Sequence, residues 1–115
     1  MNPIEGIIQF NKDRGLTTFN GLAEYKMLES ELNEFTVGLA YGDTHEAVDA
    51  LCDIVVVAVG ALYKLGYDPT TALTETVKEI SSRRGSFDNE TGKWEKDPNQ
   101  DPSTLYKANY GNAER

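Results

Sequence analysis

Between Asp43 and Gly66 the chain runs for about twenty-two residues with no proline and no turn signal, and its middle is the β-branched run Ile54-Val55-Val56-Val57. Val and Ile favour strands and the run has no helical periodicity, so a buried strand is the competing reading. The run is continuous with good helix formers on both sides, however. Asp43 with Glu46 three residues on reads as a capping box, and Gly66 before Tyr67, Asp68 and Pro69 suits a C-terminal stop. The segment therefore reads as one helix, roughly 33 Å long and apolar on every face. Such a helix must be enclosed by other helices.

The neighbours are legible. Asn2, Pro3 and Glu5 give an N-cap, a proline at the first helical position and a capping glutamate; Ile4, Ile7 and Ile8 form a stripe that Gly15 ends. After Thr17-Thr18-Phe19-Asn20-Gly21, the residues Leu22, Tyr25, Leu28, Leu32, Phe35 and Leu39 recur at steps of three and four, and Gly42 closes that amphipathic helix. Asp68, Pro69, Ala72, Leu73, Val77 and Ile80 give a fourth helix ending near Gly85. Beyond it, Asp88 to Gly92 between Phe87 and Trp94 reads as the turn of a small hairpin followed by an extended arm.

The expected fold class is all-α: a four-helix domain over residues 1–84, with a hairpin or loop and C-terminal arm over 85–115 packing on the domain or on a neighbouring subunit. With 115 residues and one helix hydrophobic all round, a monomer would leave apolar surface exposed, so a homodimer or a dimer of dimers is expected.

Eleven Lys and Arg against nineteen Asp and Glu leave a net charge of −8, which disfavours nucleic-acid polymers and anionic membranes as partners. The longest apolar stretch, Ile54 to Tyr63, is about half the roughly twenty residues of a membrane span. One cysteine, Cys52, excludes an internal disulfide and a multi-cysteine zinc site. The start Met-Asn-Pro-Ile-Glu lacks the features of a signal peptide, so a reducing cytoplasm is the expected compartment.

The acids are concentrated from Glu24 to Asp53, and their spacing is informative. Glu31 and Glu34 project from one face of the second helix; Asp49 and Asp53 do the same on the third, with Glu46 three residues earlier. Like charges at these spacings repel, and Asp49 and Asp53 sit at the edge of an apolar run. If the two helices are antiparallel, the pairs face each other, and a hard dication with oxygen ligands, Mg²⁺ or Mn²⁺, offsets the repulsion. Glu24, Glu29 and Asp43 read as solvated surface instead.

With Glu31-Leu32-Asn33-Glu34, then Glu46 through Asp53 and the following Ile54-Val55-Val56-Val57, leading to Leu65-Gly66-Tyr67-Asp68, the chain resembles the all-α nucleoside triphosphate pyrophosphohydrolases. It is most similar to MazG-like and phosphoribosyl-ATP pyrophosphohydrolase-like members, including the short versions often seen in phages. The resemblance implies a MazG-like bundle, a Glu-x-x-Glu pair and a Glu-x-x-Asp pair that jointly hold Mg²⁺, and hydrolysis of a nucleoside triphosphate to monophosphate and pyrophosphate in nucleotide-pool control. Glu31 and Glu34 match the first pair, and one of them is the implied general base. The second pair departs from the pattern: three residues before Asp53 stands Ala50. The hydrophobic register favours Asp49 with Asp53 as ligands and leaves Glu46 as reserve ligand or outer acid.

The same resemblance implies cationic phosphate contacts, for which Lys78, Arg83, Arg84, Lys93 and Lys96 are the candidates, with Asn11 and Arg14 as further substrate contacts. Trp94, Tyr106 and Tyr110 read as packing residues of the arm before base-stacking ones. His45 reads as a solvated residue and Cys52 as inert core. No Gly-x-x-x-x-Gly-Lys phosphate loop is present. The competing class is a non-catalytic acidic helical oligomer that binds a nucleotide or a partner protein, and the departure at Ala50 keeps it open.

Overall fold

The structure, a computed structural model, describes residues 1–115 as four helices and one two-stranded sheet. Helix α1 spans Pro3–Asp13, α2 Gly21–Ala40, α3 Thr44–Lys64 and α4 Pro69–Ser82; strands β1, Gly85–Asp88, and β2, Lys93–Lys96, follow. Two short 3-10 turns, Pro102–Thr104 and Tyr110–Ala113, complete the chain. The Ile54–Val57 run is helical within α3. No helix is long and apolar enough to cross a membrane.

Local chemistry sets the helix ends. Asn2 Oδ1 accepts from the Glu5 amide at 2.9 Å while Asn2 Nδ2 donates to Glu5 Oε1, so cap and glutamate satisfy each other. Asn20 and Asp43 cap α2 and α3 by accepting from the Ala23 and Glu46 amides, each at 3.1 Å. Gly42, at φ +66°, reverses the chain between α2 and α3 in a conformation that a side chain disfavours.

Two compact units result, Met1–Pro69 with Arg115 and Thr70–Glu114. In the first, α2 and α3 lie against each other along their lengths and α1 lies against α3. Small residues let the backbones approach: Gly38, Ala47 and Ala50 are buried, and Gly60 of α3 faces the buried amide of Asn11. The C-terminal end of α3 is closed by Arg115, whose guanidinium stands 4.1 Å over the Tyr63 ring and donates to the Tyr63 and Tyr67 carbonyls.

The face that α2 turns inward is not the one its apolar periodicity suggests. The covered positions are Glu24, Leu28, Glu31, Phe35 and Gly38, whereas Leu22, Tyr25, Leu32 and Leu39 are each more than half exposed. Val48, Leu51 and Val55 of α3 are open as well, so α3 is enclosed on one side only. Cys52 is exposed on that open side, where the sequence suggested an inert core residue.

In the second unit the expected hairpin is present, with Phe87 opposite Trp94. The arm folds back onto α4. Glu75 is buried and accepts from the Tyr106 hydroxyl and from the Asn109 amide at 2.9 Å; Glu79 accepts from the Ala108 amide at 3.0 Å. Tyr110 shares a 2.9 Å hydrogen bond with Thr76. Tyr106 and Tyr110 are thus anchors of the arm.

Candidate metal centre

The inward stripe of α2 carries Glu31 in the middle of its seam with α3, and the matching stripe of α3 carries Asp53. Both are half-buried; Glu34, at the seam's open edge, is exposed. One carboxylate oxygen from each of Glu31, Glu34 and Asp53 lies within 4.8 Å of the others. Three acids from two helices converging this tightly repel one another, and none of them is in an ion pair.

Glu31 bears the consequence. Its Oε2 is buried and has no hydrogen-bond partner. A hydrogen bond shared with Glu34, then burial, then the negative charges of Glu34, Asp53 and Asp49 push its carboxyl up to about 7. An orphaned buried oxygen in an all-carboxylate donor set fits a hard divalent cation with oxygen ligands.

Asp49 is exposed and stands outside this trio, but close enough for its charge to act on Glu31. Ala50, three residues before Asp53, is wholly buried. Glu46 is exposed in the first turn of α3, where its amide meets the Asp43 cap. Glu29 accepts from the Tyr25 hydroxyl at 3.1 Å on the open surface, and His45 is exposed.

The seven candidate substrate contacts are placed variously. Asn11 is buried, and its amide donates to the Ile7 carbonyl at 2.9 Å; Arg14 is exposed with its guanidinium 3.9 Å over the Phe10 ring. In the second unit, Lys78 pairs with Glu75 at 3.3 Å and Arg83 with Glu79 at 3.0 Å. Arg84, Lys93 and Lys96 are exposed and make no ion pair. Arg83 and Lys96 meet on the wall of a groove of about 290 Å³, joined there by Lys107, Glu79 and Asp97.

Glu24 is the acid that sequence reasoning misplaced. It is 5% exposed rather than solvated, and its Oε1 accepts from Lys64 Nζ at 2.7 Å. The available signal was spacing: Glu24 precedes Glu31 by seven residues and Lys64 follows Asp53 by eleven, so each pair shares a helical face.

Comparison with protein-family models, curated proteins and solved structures gives no match to this chain.

Proposed function

We propose that this chain is a divalent-metal-dependent pyrophosphohydrolase of nucleoside triphosphates, releasing nucleoside monophosphate and pyrophosphate. The observation that carries the reading is the trio Glu31, Glu34 and Asp53, gathered from two helices, of which Glu31 has a buried, unpartnered oxygen. The resemblance of the Glu31-to-Asp68 segment to the MazG-like enzymes supplies the reaction class.

In this reading Glu31 and Asp53, held in the seam, are the principal ligands of Mg²⁺ or Mn²⁺, with Asp49 contributing charge and Glu46 in reserve. A cation held there would neutralise the acids and the phosphate oxygens and supply Lewis-acid polarisation of the phosphoryl group. Glu34 stands where solvent enters, which suits it to orient the attacking water as general base. Arg84, Lys93 and Lys96 of the second unit make no ion pair, and the role of phosphate contacts for them rests on the resemblance alone.

A second copy of the chain completes the assembly. Tyr25, Leu32 and Leu39 recur every seventh residue on the open side of α2, a stripe that water would otherwise cover.

Pyrophosphate release from a panel of ribo- and deoxyribonucleoside triphosphates, with and without Mn²⁺, tests the proposal. Metal-dependent release that Glu34→Gln abolishes is expected. Silence across the panel, with the cation still raising the melting temperature, would leave the binding-only reading in its place.

A further inference from the structure

The hairpin of the second unit is a two-stranded sheet, so each strand has an open edge, and the two edges are not alike. The register pairs Gly85 with Lys96, Ser86 with Glu95, Phe87 with Trp94 and Asp88 with Lys93. One step further on, the Asp97 amide donates to the Arg84 carbonyl at 2.8 Å, which makes Arg84 and Asp97 a hydrogen-bonded pair. Alternation along an antiparallel ladder then gives Ser86 and Asp88 the remaining bonds to β2. It turns the N–H and C=O groups of Gly85 and Phe87 outward, along the open edge of β1. Gly85, Ser86 and Phe87 are all exposed, and an edge of this kind is a template for a further strand.

The side chains of β1 are complementary to themselves. Two copies paired antiparallel about Ser86 exchange backbone hydrogen bonds between Gly85 of each and Phe87 of the other. The same register sets Arg84 of each copy opposite Asp88 of the other, and neither residue is in an ion pair within its own chain. Across the joined sheet the charges then alternate in sign: Asp97 and Arg84 of one copy, Asp88 and Lys93 of the other. On the opposite face Phe87 of each copy lands beside Gly85 of the other. The Trp94 ring already lies over that glycine, 2.8 Å from where a Cβ would stand, so the incoming ring meets an aromatic surface. Phe87 and Trp94 are 61% and 48% exposed in the single chain and gain cover there. The β2 edge offers no such match. Pairing two copies of it about Glu95 sets one Glu95 against the other, and the strand carries Lys93 and Lys96 besides.

We propose that the β1 edge, Arg84 to Asp88, pairs with the same edge of a second copy to form a four-stranded antiparallel sheet. This contact is distinct from the apolar rows of α2 and α3 and independent of the pyrophosphohydrolase reading. Strands of four residues bury far less than the roughly 1,200 Å² of a stable interface, so the edge holds weakly on its own and a covalent trap is the means of reading it.

Ser86 stands on the two-fold axis of this pairing, at a non-hydrogen-bonded position where facing Cα atoms are about 4.5 Å apart and within disulfide reach. Glu95 of β2 stands three strand spacings, about 14 Å, from its counterpart. Ser86→Cys and Glu95→Cys are each made in the full-length chain carrying Cys52→Ser and exposed to oxidised glutathione at equal protein concentration. Disulfide-linked dimer is followed on non-reducing gels, each rate being divided by that of the same thiol with a small aromatic disulfide. Ser86→Cys is expected to link at least about tenfold faster than Glu95→Cys. Adding Arg84→Asp, which sets like charges opposite each other, slows it about fivefold or more, whereas Arg84→Lys leaves it within about twofold. Asp88→Asn keeps an acceptor for the Glu90 amide, bonded to Asp88 at 2.8 Å, and slows linking with the turn intact. Fluorescence of Trp94, the one tryptophan of the chain, checks the hairpin in each variant. Equal linking by Ser86→Cys and Glu95→Cys, or linking by Ser86→Cys that ignores the charges at 84 and 88, overturns the proposal.

Discussion

Gly38 of α2 sits so close to Ala47 of α3 that a methyl group built on it would lie 2.9 Å from the Ala47 amide nitrogen and 3.2 Å from its Cα. Gly38 is one turn beyond Glu34 and two beyond Glu31, on the same face. The close approach therefore fixes the separation of the helices at the end of the seam next to their connection, about 10 Å along the axis from Glu31. Gly38→Ala gains about 1 kcal/mol of helix propensity and loses about 1–3 kcal/mol to overpacking against backbone that has no room to give. A modest net fall in melting temperature is expected in metal-free protein, together with a larger fall in the stabilisation that Mn²⁺ confers. Thermal denaturation with and without the cation reads both.

The trio predicts a graded response among the acids. Glu34→Gln and Asp53→Asn each remove a converging oxygen and should abolish both the Mn²⁺-induced rise in melting temperature and pyrophosphate release. Asp49→Asn removes a nearby charge but no converging oxygen, so cation binding should weaken without disappearing. Glu46→Gln should leave it unchanged. An effect of Glu46→Gln equal to that of Asp53→Asn would move the centre one to two turns toward the start of α3.

Glu31 and Glu75 give opposite pH signatures. The Glu31 carboxyl is raised from 4.5 to about 7, so the stability of keeping it protonated is fully present below about pH 4.5 and lost as pH rises through 7. Glu31→Gln should therefore stabilise the metal-free protein at pH 8 while removing its response to Mn²⁺. Glu75 is held down at about 2 by the Tyr106 hydroxyl, then by the Asn109 amide and the nearby Lys78, against the opposing effect of burial. Its contribution is present above about pH 4.5 and lost as pH falls toward 2, and Glu75→Gln should flatten that acid limb. Melting temperatures recorded from pH 2 to 8 in the presence of chelator separate the two.

The parts of this architecture legible in the sequence are those set by neighbours along the chain. Asn2 and Asp43 as caps, Gly42 as a stop and Phe87 opposite Trp94 each depend on a few adjacent residues, and the structure has them. Helical spacing singles out Glu31, Glu34 and Asp53 as facing acids, but it singles out Asp49 equally, and Asp49 stands outside the converging trio. Which face of α2 turns inward was not legible, since Leu22, Tyr25, Leu32 and Leu39 mark the most apolar stripe and the seam instead takes Glu24 and Glu31. Periodicity reports the surface that avoids water, without saying whether the same chain covers it. The burial of Glu24 and the anchoring of the arm on Glu75 rest on partners forty and more than thirty residues away, and nothing local announces them.

That misplaced stripe yields the last prediction. Tyr25, Leu32 and Leu39 on α2, with Val48, Leu51 and Val55 on α3, form two open apolar rows at helical spacing, too much apolar surface to leave wet on a chain this small. A second copy bearing the same rows would cover them by symmetry, since a two-fold interface is made of one patch meeting itself. Sedimentation equilibrium of the wild type should give at least twice the 12.7 kDa chain mass. Leu32→Glu places a charge in the middle of the α2 row, outside the seam with α3, and should yield a monomer of unchanged helical content by circular dichroism. A wild type that sediments as 12.7 kDa, or a Leu32→Glu variant that stays dimeric, would show that these rows are not the interface.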